Sequence, residues 1–220
     1  MKKAVFLFLL FVKSNIYIFA QYQSNDNMGE YRHSIGISYL SVNQNSNYFT
    51  VRKSCAALVY NIRIDFRLGY HSSIGATIYP TVGYAPKSKI KSLQHSTIIQ
   101  GGSETGAPIC FEIPFMIQYN SGNHSTGVTK YKFGSFIGLG ASYSYFPGTS
   151  VVIDAHKNTI ISAATYLSIC ASGGIKFMVN NQSYGLRIHY NRPLGLPNNV
   201  AANNFSVSIL YNFSKHSRFG

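Results

Sequence analysis

From residue 31 onward, strand-length stretches place an apolar residue at every second position, and their apolar faces add up to one continuous wall. In the clearest stretch, Ile109, Phe111, Ile113, Phe115, Ile117 and Tyr119 share one face, with Cys110, Glu112, Pro114, Met116 and Gln118 on the other. A soluble sandwich alternates too, so the period alone does not choose between them. The content of the two faces does. Aromatics sit at the strand ends of the apolar face, and Arg, Lys, Glu, Gly and Ser lie opposite. This is the pattern of an inside-out barrel, greasy toward lipid and polar toward its lumen.

Composition narrows the choice. Charged residues make up 11% of the 220 and aromatics 15%, an unusual balance for a soluble domain. No stretch after the N-terminus approaches the ~20 apolar residues of a spanning helix. A membrane chain without such helices must close its strands into a barrel, because lipid satisfies no free backbone group. Lys2 and Lys3 precede an apolar run, Ala4 to Val12, and Ile16 to Ala20 continue it. The order of charge, apolar run and small residue predicts a cleaved signal peptide over 1–20, cut at Ala20–Gln21. A polar segment over 21–30 and a barrel domain over 31–220 follow. Removing Lys2, Lys3 and Lys13 with the leader takes the formal +13 to +10. No basic helix or compact basic run points to nucleic acid. Anionic lipid and lipopolysaccharide phosphates are the expected neighbours.

Eight strands are predicted, about Tyr31–Val42, Ala56–Gly69, Ser73–Tyr84, Ile109–Tyr119, Tyr131–Tyr145, Thr165–Met178, Ser183–Arg192 and Asn204–Phe213. The fold class is therefore an all-β, eight-stranded, antiparallel up-and-down transmembrane barrel. Pro80 lacks a ladder donor and is expected to mark a bulge. An even strand number puts both termini on one side, the periplasm. Short turns then fall near 70–72 and 180–182, with a longer one over 120–129. Long outer loops fall near 43–55, 85–107, 146–164 and 193–203. Tyr31, Phe66, Tyr119, Phe133, Phe177, Tyr184 and Phe213 form one aromatic girdle. Tyr39, Tyr60, Tyr84, Phe111, Tyr143 and Phe205 form the other.

Eight strands enclose an interior just wide enough for side chains. The inner faces supply a polar network of Arg63, Asp65, Arg67, Glu112, Lys132, Lys176, Arg187 and His189, with Arg32 beside it. Few acids among many bases in a narrow space should pair, so Asp65 and Glu112 are expected to bridge Arg63, Arg67 and Arg187. The network reads as a polar plug, with a gate or small anion path as the alternative. Cys55, Cys110 and Cys170 show no metal spacing. One bridge is possible in an oxidising compartment, and nothing selects the pair. Lys87, Lys89 and Lys91 alternate where a strand would leave lipid, a place for contact with headgroup phosphates or for a solvated rim. No cofactor, metal or catalytic site is expected: His33 has no outward Ser or acid beside it, and His189 lies among Arg and Asn.

The segment from Phe111 through Glu112, Ile113 and Pro114 to Tyr119 resembles the Glu-Ile-Pro strand of the PorT-like outer-membrane β-barrel proteins of Bacteroidetes. Phe133–Tyr145, Ser172–Phe177, Tyr184–Asn198 with its Arg187-x-x-Tyr190, and Phe205–Phe213 fall in that family's order. The absence of Trp, the three cysteines and the long 120–129 turn depart from it. The resemblance implies an outer-membrane barrel and suggests an accessory of type IX-like protein secretion, with other envelope proteins as partners. Three function classes follow: a structural or interaction component, a porin-like transporter of small solutes, and a lipid A-modifying enzyme.

Overall fold

The first strand has two partners, the second strand and the last, and this double pairing closes the sheet on itself. The computed structural model describes residues 30–45, 49–69, 71–85, 89–92, 99–105, 107–122, 131–153, 157–161, 164–194 and 201–213. The predicted signal peptide and residues 21–29 lie outside the described residues. The strands are β1 (Glu30–Asn45), β2 (Phe49–Gly69), β3 (Ser72–Ile78), β4 (Thr81–Tyr84), β5 (Lys89–Ser92), β6 (Ile99–Thr105), β7 (Ile109–Gly122), β8 (Phe133–Phe146), β9 (Gly148–Ile153), β10 (Lys157–Ile161), β11 (Ala164–Val179), β12 (Gln182–Pro193) and β13 (Ala201–Phe213). Going round the wall, β1, β2, β3 with β4, β7, β8, β11, β12 and β13 form eight antiparallel staves, and β13 returns to β1. The predicted eight-stranded barrel is the observed fold. No helix among the described residues is long and apolar enough to cross a membrane.

The alternation sorts side chains as the sequence predicts. On β7, Ile117 is 62% exposed while its neighbours Met116 and Gln118 are at most 1% exposed. Leu139, Ile137, Leu167, Ile169, Ile37 and Ile209 extend the same outward apolar band around the wall. Tyr31, Phe66, Tyr119, Phe133 and Phe213 are exposed at the end where β1 begins and β13 finishes, here the terminal end, and Tyr39, Tyr84, Tyr143 and Phe205 toward the other. Tyr60 departs from its expected place in the second girdle. It is buried, with its hydroxyl 3.0 Å from Nδ1 of His33. This contact also gives His33 an outward partner that the sequence does not reveal.

Pro80 marks no bulge. The register across it is unbroken: Ile62 opposes Ile78 before it and Val59 opposes Thr81 after it. On the other side Ile78 opposes Phe115 and Thr81 opposes Glu112. Proline removes a donor but keeps its carbonyl, and Pro80 O accepts from Tyr60 N at 3.1 Å. The register shift in the pairing of β2 with β3 lies instead on β2, between Arg67 and Gly69. At the terminal end, Val179 and Gln182 flank a two-residue turn in which Asn180 and Asn181 have φ of 50° and 61°. Positive φ at both positions suits a type I′ hairpin, and asparagine tolerates it well.

The expected outer loops carry more strand than predicted. The β1–β2 ladder continues to Asn45 opposite Thr50, and β5 pairs with β2. Segments β6, β9 and β10 form a separate three-stranded sheet, whose β9 follows β8 with only Pro147 between them. Periodicity misses these extensions because beyond the membrane neither face of a strand must be apolar.

An arginine on the lipid-facing wall at mid-height should be costly. Leu139→Arg is expected to lower the stability of the chain refolded into lipid vesicles by about 2–4 kcal/mol, and the same substitution at the end-girdle residue Phe133 by about 0–1 kcal/mol. Denaturant titration of both variants checks the depth dependence.

Candidate functional site

The bore of the barrel collects the chemistry-bearing side chains, and it is layered. Near the terminal end lies an ionic layer. Asp65 on β2 accepts from Arg63 Nε at 2.7 Å and lies 3.1 Å from Arg32 Nε on β1. Arg63 also donates through Nη1 to Asn120 Oδ1 on β7 at 2.9 Å. The same oxygen accepts from Lys176 Nζ on β11 at 2.7 Å and from Gln118 Nε2 at 2.5 Å. Asn120 Nδ2 returns a bond to Asp65 at 3.3 Å. Asp65, Asn120, Arg63 and Lys176 are all buried. Beside them a chain of neutral polar groups runs along the inner wall. Thr77 donates to Asn61, Asn61 to Ser34, Ser34 to Asn212, and Asn212 to Ser183.

At mid-bore, His189 on β12 bridges two walls. Its Nδ1 lies 2.6 Å from the Tyr79 hydroxyl, in the gap between β3 and β4, and its Nε2 lies 2.8 Å from Glu112 Oε1 on β7. Asn191 Nδ2 donates to the same Glu112 oxygen at 2.5 Å. Arg187 stacks on the Tyr79 ring with its Cζ 4.1 Å from the centroid, and lies 5.5 Å from that of Phe136. Buried cation–π contacts of this kind are worth about 2 kcal/mol.

Above this the bore turns apolar. Leu40, Val42, Ala57, Ala85, Phe146 and Tyr166 form one buried cluster with Cys55 and Cys110. Cys55 on β2 and Cys110 on β7 are joined by a disulfide, and Cys170 is free and buried. The bridged strands are not neighbours: β4 runs between them, with Gly83 opposite both Ala57 and Cys110. A Cβ on Gly83 would sit 2.4 Å from Cys55 Sγ, so only glycine leaves room for the sulfurs to pass over it. At the loop end, the buried Lys53 donates through Nζ to the carbonyls of Pro147 and Gly148, tying β2 to the start of β9.

The predicted polar set divides. Arg63, Asp65, Glu112, Lys176, Arg187 and His189 are buried together in the bore. Lys132 is not among them, because it is exposed at the foot of β8. Arg67 is 46% exposed and pairs with Glu30 at 2.9 Å at the rim. The expected arginine bridges form only at Asp65. Glu112 engages His189 and Asn191 instead, since the imidazole on β12 reaches it first across the narrow bore. Of the three lysines beyond the third predicted strand, Lys89 is exposed on β5, Lys91 is placed through its backbone alone, and Lys87 lies outside the described residues. Sequence reasoning put Gln118 and Asn191 on the inner face without assigning them to the network, and it missed Tyr79, Asn120 and Lys53. The inward parity of Tyr79 and Asn120 is readable as a large polar side chain on the small-residue face. Among the described residues, no group of three His, Cys, Asp or Glu side chains could hold a metal ion.

No family model matches the chain, and no curated protein matches it either. Solved outer-membrane barrels are similar in fold. The attachment invasion locus protein Ail of Yersinia pestis, solved with the heparin analogue sucrose octasulfate, is 12% identical. The alignment covers 84% of this chain and 99% of that one, with a TM-score of 0.44. Neisserial surface protein A is 13% identical over 82% of this chain and 97% of its own, with a TM-score of 0.42. OprG from Pseudomonas aeruginosa is 12% identical over 86% and 98%, with a TM-score of 0.41.

Two variants separate the ionic layer from the rim. Asp65→Asn removes the buried carboxylate shared by Arg32 and Arg63 and should cost about 3–5 kcal/mol of unfolding free energy. Glu30→Gln, at the half-exposed rim, should cost less than about 1 kcal/mol. Denaturant unfolding with an unchanged m-value is the check. For the disulfide, peptide mapping without reduction should recover Cys55 linked to Cys110 and leave Cys170 open to alkylation after denaturation. Gly83→Val should release both bridged thiols.

Proposed function

We propose that this chain is a non-enzymatic, non-conducting barrel of the bacterial outer membrane, with both termini in the periplasm, that acts through its loop-end surface. The observation that carries this reading is the filled bore: an ionic layer, a hydrogen-bonded layer, and an apolar cluster with a disulfide across it. A solute would have to break several buried ion pairs and then cross a dry apolar constriction. Beyond the apolar cluster, β6, β9 and β10 form a sheet tied to the wall by Lys53, a firm base for a partner. Lipopolysaccharide and outer-membrane lipid are the surrounding partners, with Lys89 exposed toward them. The Glu-Ile-Pro strand and the Arg-x-x-Tyr of β12 support the finer reading of a PorT-like accessory to protein secretion.

Small-solute transport is the second reading. It is favoured by buried polar atoms of Ser142, Ser144 and Ser168 that have no hydrogen-bond partner in the bore. Lipid A modification has less support, since the contact shown for His33 is with the Tyr60 hydroxyl.

Planar-bilayer recording distinguishes the two main readings. The leading one expects no steady ion conductance from the refolded chain, and a stable open current would replace it with the transporter. Crosslinking in native outer membranes then addresses the partner. Recovery of export-system subunits is the expected outcome, and a chain crosslinked to lipopolysaccharide alone would remove the secretion role.

A further inference from the structure

We infer that the bore binds one small monovalent inorganic anion, of the chloride class, at the edge of the Arg187 guanidinium. Arg187 is 2% exposed, yet its Nε and Nη1 have no hydrogen-bond partner. A buried guanidinium with open donors is costly, and buried charges in proteins are paired or hold an ion. Its geometry says where the partner belongs. The Tyr79 and Phe136 ring centroids lie 4.1 and 5.5 Å from its Cζ, and no protein oxygen among the described residues accepts from Nε or Nη1. The N–H groups lie in the guanidinium plane, so a partner belongs at its edge beside Nε and Nη1.

No carboxylate fills that role. Glu112, the nearest acid along the same layer, is held by His189 and Asn191. Asp65 is held by Arg63 and Arg32. Lys176, the other buried cation beside Phe136, lies 5.4 Å from that ring and bonds the neutral oxygen of Asn120. Neither Lys176 nor Arg187 forms an ion pair among the described residues. Below the apolar cluster, Arg32, Arg63, Arg67, Lys176 and Arg187 stand against Glu30, Asp65 and Glu112, five positive groups against three negative. The excess positive charge lies on the Lys176–Arg187 side of the bore.

Size and charge select the ligand. The interior of an eight-stranded wall is filled by side chains or leaves room for one small ligand. A monovalent anion matches the single charge of Arg187, while Lys176 keeps its bond to Asn120. A halide accepts hydrogen bonds from any direction and asks for no matching donors. The anion is a resident counter-ion that completes the ionic layer. The inference does not depend on whether the barrel conducts.

Crystals of the full refolded chain grown in bromide in place of chloride test this directly. The expected result is an anomalous difference peak within hydrogen-bond distance of Arg187 Nε or Nη1. In parallel, the denaturation midpoint of the unmutated chain should be higher in chloride than in gluconate at equal ionic strength. Arg187→Met should erase that difference, and Lys176→Met should reduce it. Ordered density without anomalous signal at Arg187 would mean water alone and would overturn the inference. So would a chloride effect that survives in Arg187→Met. If Arg187→Met does not fold, the bromide map of the unmutated chain decides alone.

Discussion

In hydrocarbon a peptide amide has no water to turn to, so each strand needs a bonded neighbour on both sides. The pairing of β1 with both β2 and β13 is what meets this condition, and the rest of the molecule is arranged around it. Once the wall closes, side chains have only two destinations. Odd-numbered residues of β7 go to the lipid and even-numbered ones go to the bore, and a slip of one residue would exchange the two sets. The register is therefore enforced at every level of the barrel, including across Pro80, where a donor is lost and the alignment still holds.

The closed wall creates the second problem, a narrow interior lined with charge. The layering of the bore is how the molecule meets it. Acids and bases are concentrated near the terminal end, where Asn120 serves as a neutral hub for three donors. Farther in, one imidazole links a tyrosine on one wall to a glutamate on another. Beyond that, apolar side chains and a disulfide fill the bore, and at the loop end the buried Lys53 is held by two backbone carbonyls. Each layer joins several staves, with β7 contributing to all three through Asn120, Glu112 and Cys110, so the filling also braces the wall from within.

Much of this was legible in the chain. Wall-facing residues such as Ile113, Leu139 and Ile209 announce themselves because a lipid-facing position tolerates almost nothing else. The inward parity of Arg63, Asp65, Glu112 and His189 follows from the same rule. Partner choice inside the bore was not legible. Which acid meets which base depends on how eight inner faces are staggered, and that offset is a property of the closed ring. This is why Glu112 was expected on arginine and is found on His189. Lys132 and Arg67 share the inward parity of their strands, but they lie where the wall ends and water begins. The pairing of Cys55 with Cys110 hinged on Gly83, a residue whose only contribution is the absence of a side chain.

Two prolines sit close together in the wall, Pro80 and Pro114, on adjacent staves. Neither has an N–H to give, and the strand assignment lapses between Ile78 and Thr81. Tyr79 sits in that gap, its amide reaching Pro114 O at 3.4 Å. Its side chain crosses to His189 and to Arg187 on β12, away from the gap. The wall thus lacks two amide donors where an internal strut is anchored. Mechanical load on this seam would pass through a phenol and an imidazole to the opposite side, so the stiffness of the cylinder is set there by what spans it and not by its own stitching.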